Sequence, residues 1–202
     1  MIIDPSDLDL QSCYKLLIGS VVPRPIAWTS TLSQKGIRNL APFSFFTVAS
    51  RQPPMLCISV GPRNADGGNA PAKDTLDNIK ATEEFVINIV SLALSNTMYE
   101  SSKNHPPDAD EFEKAGLTPA PCEVVRAPRV EEAGVSMECF LDRVLPLGTD
   151  HLVIGSMVRF HVRDELYEDG RIDVAGLDPL GRLAGNYTKV ETIFDLPVDD
   201  GF

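Results

Sequence analysis

Two extended segments joined by a tight turn constrain the fold of this chain more than any other feature. Residues 24–31 read RPIAWTST, residues 39–46 read NLAPFSFF, and the turn SQKG lies between them. Aromatic and β-branched side chains suit a pleated surface, and Gly36 fits a hairpin turn. Residues 21–32 and 37–49 are therefore predicted to be partner strands. Pro23 and Pro25 confine the start of the first strand to a sheet edge or a bulge, because proline lacks an N–H donor.

The rest of the chain alternates short apolar runs with turn signals. Further strands are expected at residues 55–60, 85–90, 135–147 and 152–162, and short helices at residues 74–81, 92–99 and 111–115. Residues 8–18 are expected to form a short helix or an irregular covering segment. Asp74 is the expected N-cap of its helix. Residues 61–71 are predicted to be a loop, 177–187 to have few regular features, and 198–202 to be frayed. Strands without long intervening helices predict a mainly β chain, an antiparallel barrel with short helices.

Composition narrows the class of protein. The 202 residues, 43% of them hydrophobic, suffice for a single domain spanning 1–202, and the formal net charge is −11. Such a charge disfavours nucleic acid and anionic membrane surfaces as partners. No apolar run approaches the ~18 residues of a membrane span, and the start lacks a signal-peptide pattern, so a cytoplasmic location is expected. The four cysteines are scattered, so neither a metal site nor a disulfide framework is expected (Cys13, Cys57, Cys122, Cys139).

A candidate anion site lies where the helix at residues 74–81 begins. Free N–H groups and the helix dipole favour an anion there, Lys73 adds a charge and Thr75 a hydroxyl donor. Asn78 would face the same side one turn on. The carboxylate of Asp74 could instead occupy those N–H groups, so ordinary helix capping is the alternative.

Hydroxyl groups on the first predicted strand form a second candidate ligand-binding site. Alternation along a strand places Thr29 and Thr31 on one face and Ser30 on the other, where they could donate to phosphate or to sugar-like hydroxyls. The alternative is that threonine is common in strands for steric reasons alone. Trp28 could cover a ring system or occupy a half-buried sheet position.

The second strand contains an interruption that a plain sheet would not favour. Pro42 removes a ladder donor between Asn39 and Ser44, and unpaired backbone groups beside it would suit the edge of a flat heterocycle. Phe43, Phe45 and Phe46 are better explained as core residues. No Ser-His-Asp or Cys-His arrangement, GxGxxG or Walker A pattern is present, so hydrolytic and P-loop chemistry have no support.

Five segments, in order, resemble the flavin reductase-like, FMN-binding split-barrel family. They are RPIAWTST at 24–31, NLAPFSFF at 39–46, KDTLDNI at 73–79, EFEKAGLT at 111–118 and RLAGNY at 182–187. The resemblance covers about residues 18–187. It implies a Greek-key split β-barrel, a homodimer and FMN bound near the subunit interface.

The resemblance also implies site residues. Phosphate and ribityl contacts are expected from the hydroxyl and cationic groups, and isoalloxazine contacts from the second strand (Trp28, Thr29, Ser30, Thr31, Asn39, Leu40, Ala41, Pro42, Phe43, Ser44, Lys73, Thr75, Asn78, Tyr187). Some relatives carry Gly-Asp-His before a late strand, whereas here Thr149 is inserted before Asp150 and His151, so His151 is a weak catalytic candidate. Ala184 stands where a glycine is usual and would narrow the space over the ring, and the loop at 61–72 is longer than usual.

Two classes of function follow from the resemblance. The first is an NAD(P)H:flavin oxidoreductase or the reductase component of a two-component monooxygenase, with hydride passing to flavin N5. The second is a non-enzymatic FMN electron carrier, for which the acidic surface would suit docking to a basic redox partner. Retention of the fold for binding without redox work is a third alternative.

Overall fold

A seven-stranded antiparallel sheet forms the centre of the computed structural model, which describes residues 1–63, 73–106 and 108–196. The strands are β1 (Ala27–Leu32), β2 (Arg38–Phe43), β3 (Phe46–Arg51), β4 (Pro54–Val60), β5 (Glu84–Ile89), β6 (Pro119–Ala120), β7 (Arg129–Val130), β8 (Val135–Leu147), β9 (Asp150–Val162), β10 (Tyr167–Glu168), β11 (Arg171–Ile172), β12 (Leu180–Arg182) and β13 (Tyr187–Lys189). The central order is β2-β1-β5-β8-β9-β4-β3, and β6–β7, β10–β11 and β12–β13 form separate pairs.

The described part of the chain also contains short helices. They are α1 (Leu10–Ser20), α2 (Asp74–Thr82), α3 (Ser95–Ser101), α4 (Glu111–Ala115) and α5 (Val174–Leu177), with 3-10 turns at Pro5–Asp7, Leu92–Leu94 and Asp164–Leu166. None of the helices in the described ranges is long and apolar enough to cross a membrane. The predicted loop at 61–71 lies outside the described residues from position 64 onward, as does the predicted frayed end at 198–202.

The predicted hairpin is confirmed, but its second strand is shorter than expected. β1 and β2 pair from Ala27 opposite Phe43 to Leu32 opposite Arg38, and Gly36 in the turn has a φ of 80°. The predicted strand at 37–49 is divided, because the chain leaves β2 after Phe43 and begins β3 at Phe46. The predicted first strand also begins late, and before it Arg24 makes only an isolated bridge to Arg182.

The division of that strand curls the sheet. β2 and β3 lie at opposite edges of the sheet, yet only Ser44 and Phe45 connect them, so the two edges must approach each other. No ladder pairs β2 with β3 among the described strands, so the sheet is not closed into a barrel and a Greek key is not confirmed. The prediction of a mainly β fold with short helices is confirmed.

Two hydrophobic clusters occupy opposite faces of β1. The inner cluster includes Ala27, Phe43 and Ile87, and the outer one places Trp28 and Leu40 beneath α3 and α4. Successive residues of β1 therefore point into different apolar regions, as strand geometry requires. Residues 27–31 are consequently fully buried, which removes their apolar surface from water but also encloses their polar groups.

Candidate functional site

The side chain of Asn39 on β2 connects four of the five segments singled out in the sequence. Its Oδ1 accepts hydrogen bonds from the hydroxyls of Thr75 at 2.8 Å and Thr31 at 3.2 Å. Its Nδ2 donates to Oε1 of Glu111 at 3.0 Å, and Asn78 donates to the Thr31 hydroxyl at 3.0 Å. Strand β1, strand β2, the start of α2 and the start of α4 are thus joined by one buried polar network.

The start of α2 has the features of an anion site. Lys73, not Asp74, is the N-cap, and no side chain caps the helix. The Asp74 carboxylate forms an ion pair with Arg63 instead, so the alternative of self-capping by Asp74 is not what the structure has. Burial, together with Arg63, lowers the pKa of Lys73, and Asp150 offsets part of that shift.

These donors fit a phosphate group. The Nζ of Lys73 lies 5.2 Å from the centre of the Phe43 ring and forms no ion pair within the described ranges. A partly desolvated ammonium beside an uncapped helix start provides charge and N–H donors in one place. Arg63 is a second cation nearby, and its charge is paired with Asp74. No sequence pattern indicates Arg63, because it precedes the helix by eleven positions, within the segment predicted to be a loop.

Arg24 ties a third segment to the same region. Its guanidinium donates to the carbonyls of Ile18 at 2.7 Å, Val21 at 2.8 Å and Leu183 at 2.8 Å, and lies within 3.4 Å of the Ser44 hydroxyl. The backbones of Arg24 and Arg182 also exchange two hydrogen bonds. The segment at 182–187 is therefore held beside the β2–β3 connection. Arg24 lies within the motif at residues 24–31, but no sequence pattern predicts this role for it.

Several predicted contact residues are engaged elsewhere. The Trp28 indole donates to the Ser101 hydroxyl at 2.8 Å, and Leu40 lies in the outer cluster. The Thr29 hydroxyl donates to the carbonyl of Ala27 at 3.3 Å. That of Ser30 donates to the carbonyl of Pro128 at 2.5 Å, on the opposite face. The structure does not bring these four side chains to an accessible surface, and their predicted contacts stay predictions.

The other predicted residues lie nearer to the surface. Ala41, Pro42 and Ser44 are half-buried along β2 and its exit, and Tyr187 is exposed with the Arg182 guanidinium 4.3 Å from its ring centre. His151 is half-buried on β9 opposite Val60. A catalytic role for His151 stays a prediction.

A groove of 380 Å³ borders the network on the side of the β1–β2 turn. Glu111 lines it, is 7% exposed, and its Oε2 has no hydrogen-bond partner among the described residues. Burial raises the pKa of the Glu111 carboxyl, and hydrogen bonds from backbone N–H groups and Asn39 offset part of that effect. Asp74, Asp77 and Asp108 also line the groove. Lys35 lies among these carboxylates, and the predominantly acidic lining disfavours a phosphate in the groove.

The chain belongs to the flavin reductase-like family, because the profile of the flavin reductase like domain matches residues 18–190. Membership implies a flavin-binding protein of the oxidoreductase class. An uncharacterised protein of Aquifex aeolicus strain VF5 is 42% identical over 182 residues, which cover 90% of this chain and 91% of that one.

Two solved structures are similar over nearly their whole length. Nitrilotriacetate monooxygenase component B from Bacillus cereus is 39% identical, with a TM-score of 0.92, covering 97% of this chain and 98% of that one. The 2-nitrobenzoate 2-nitroreductase NbaA of Pseudomonas fluorescens is 30% identical, with a TM-score of 0.87, covering 100% and 98%.

Proposed function

We propose that this protein is an FMN-dependent NAD(P)H:flavin oxidoreductase. The observation that carries the proposal is the uncapped start of α2, where Lys73 is partly buried without an ion pair in the described ranges and Arg63 lies nearby. An anionic cofactor needs such a local site, because the net charge of −11 repels anions from the molecule as a whole.

The residues of this chain would bind and orient the cofactor. Lys73, Arg63 and the free N–H groups of α2 would hold the phosphate. Ser44 and the backbone held by Arg24 would border the ring, at the point where the chain leaves β2 after Phe43. FMN, when bound, supplies the hydride acceptor at N5, and the protein supplies orientation and electrostatics. No protein acid or base is obligatory for that chemistry.

We also propose that the protein is the reductase component of a two-component monooxygenase. The similarity to nitrilotriacetate monooxygenase component B favours a partner oxygenase that consumes the reduced flavin. We further propose a homodimer acting in the cytoplasm. The exposed apolar side chains on β3, β8 and β9 support association with a second copy, because isolated protomers rarely expose so many (Val48, Phe140, Leu145, Leu147, Phe160).

Steady-state oxidation of NADH or NADPH with excess FMN tests the proposal. Continuous nicotinamide oxidation at catalytic protein concentrations is expected, with reduced FMN as the product. Reduction of one equivalent of bound flavin only by another reduced protein would instead support an electron carrier. Absence of any flavin affinity would contradict both functions.

A further inference from the structure

Three side chains with metal-binding atoms meet on the outer face of the sheet, away from the proposed flavin site. They are Cys122, Glu138 and His161, and their sulfur, carboxylate oxygen and ring nitrogen all lie within 4.8 Å of one another. The three come from the segment after β6, from β8 and from β9, so no sequence spacing brings them together. This explains why the scattered cysteines gave no metal signature in the sequence.

Glu138 is held rigidly in this cluster. Its carboxylate is fully buried and accepts backbone hydrogen bonds from Glu123 at 2.8 Å, Val124 at 2.7 Å and Val125 at 2.9 Å. Two of these bonds occupy Oε2, while Oε1 accepts the third and also faces Nε2 of His161. A carboxylate fixed by backbone donors is oriented in advance, as supporting hydrogen bonds orient ligands in known metal sites.

The other two ligands are positioned on the same side. The Nε2 of His161 lies 2.6 Å from Oε1 of Glu138, and the side chain of His161 is 22% exposed. Cys122 is half-buried. Burial and the Glu138 carboxylate raise the pKa of Cys122 to about 12, while Arg129 offsets part of that shift.

We propose that Cys122, Glu138 and His161 form a binding site for a divalent transition metal, best matched to Zn²⁺. Thiolate, imidazole and carboxylate are the ligand types of zinc, with bonds of ~2.0–2.3 Å, and a tetrahedral ion places its ligand atoms ~3.3–3.8 Å apart. Binding therefore requires Oε1 and Nε2, now 2.6 Å apart, to separate slightly. The thiol proton leaves to solvent as the metal–sulfur bond forms. A fourth position remains for water.

The charges in the cluster are compatible with a dication. Thiolate and carboxylate together neutralise the ion, and Arg129 already pairs with Glu131 at 2.9 Å. Glu123 adds a nearby negative charge. The site shares no residue with the proposed flavin site, so it stands independently of the proposed function.

Titration of the chelator-treated full chain with Co²⁺ tests the site directly. One equivalent per chain is expected to produce visible d–d bands and a thiolate-to-cobalt charge-transfer band, both displaced by Zn²⁺. The variants C122S and H161Q should each lower Zn²⁺ affinity by roughly 100-fold or more, and C122S should abolish the charge-transfer band. C57S is the matched control, because Cys57 is also half-buried and outside the cluster.

Metal binding by the folded wild-type chain decides the question if a variant does not fold. No stoichiometric Co²⁺ or Zn²⁺ binding to the folded wild-type chain would overturn it. A charge-transfer band of unchanged intensity in folded C122S, or loss of the band in C57S, would overturn it as well. Folding of each variant is checked by circular dichroism.

Discussion

The smallest feature that organises this molecule is one asparagine side chain. Asn39 uses its oxygen for Thr31 and Thr75 and one amide hydrogen for Glu111, and it is only 7% exposed. Sequence reasoning identified Asn39, Thr31 and Thr75 but expected them to face a ligand. The motifs showed which residues matter together. They could not show that both hydroxyls donate to the Asn39 side chain, since that depends on how α2 and α4 dock on β2.

Replacement of Asn39 by alanine should destabilise the fold markedly. The variant leaves two hydroxyls and one carboxylate oxygen without their shared partner in a buried setting. The free energy of unfolding in urea should fall by roughly 2–4 kcal/mol. Asn78→Ala is the control, because it removes a single half-buried hydrogen bond and should cost only roughly 1 kcal/mol. Equal effects of the two variants would contradict the central role of Asn39.

Glu111 predicts a pH dependence of stability. Its pKa is raised by burial, so its contribution to stability is fully present below about the ordinary value of 4.5 and is lost as pH rises through the folded-state pKa. Glu111→Gln keeps the acceptor for Asn39 but cannot ionise. The variant should be more stable than wild type at neutral pH, and the gain should disappear in acid. Unfolding free energies measured across this range would contradict the account if the difference did not vary with pH.

At the scale of secondary-structure elements, the sequence predicted which segments form strands better than where each strand begins and ends. The apolar run over 37–49 is continuous, yet β2 ends at Phe43 and β3 begins at Phe46. The predicted interruption at Pro42 is wrong, because Pro42 pairs with Trp28 in an unbroken β1–β2 ladder and is tolerated on an edge strand. The passage from one edge of the sheet to the other follows Phe43 and depends on pairing with β1 and β4. The N-cap of α2 was likewise misassigned, because Arg63 draws the Asp74 carboxylate away.

Arg24 predicts a coupling between the start and the end of the chain. Arg24→Lys cannot reproduce the planar fork that serves three carbonyls, so stability should fall by roughly 1–3 kcal/mol. Amide hydrogen exchange should accelerate selectively in residues 180–189, since Leu183 loses its anchor. Arg51→Lys, at an exposed position, should leave both quantities unchanged. Uniform acceleration over the whole chain would contradict a local clamp.

At the scale of the whole molecule, the negative net charge repels the anionic ligand that we propose. A net charge of −11 surrounds one region where Lys73 and Arg63 flank a helix start, and the groove beside Glu111 is acidic. Composition predicted that any anion must be held locally. The family resemblance predicted which segments would hold it. The sequence could not show that α2 presents cations at its start and carboxylates to the neighbouring groove. Residues of the same helix contribute to both regions, and only the folded structure separates them.

The most direct test compares FMN with riboflavin, which lacks the phosphate, in wild type and Lys73→Ala. Dissociation constants come from quenching of flavin fluorescence. If Lys73 holds the phosphate, the variant should bind FMN about 10- to 100-fold more weakly, with riboflavin affinity changed less than about twofold. Equal weakening of both flavins, or unchanged FMN affinity, would contradict the assignment of the phosphate to the start of α2.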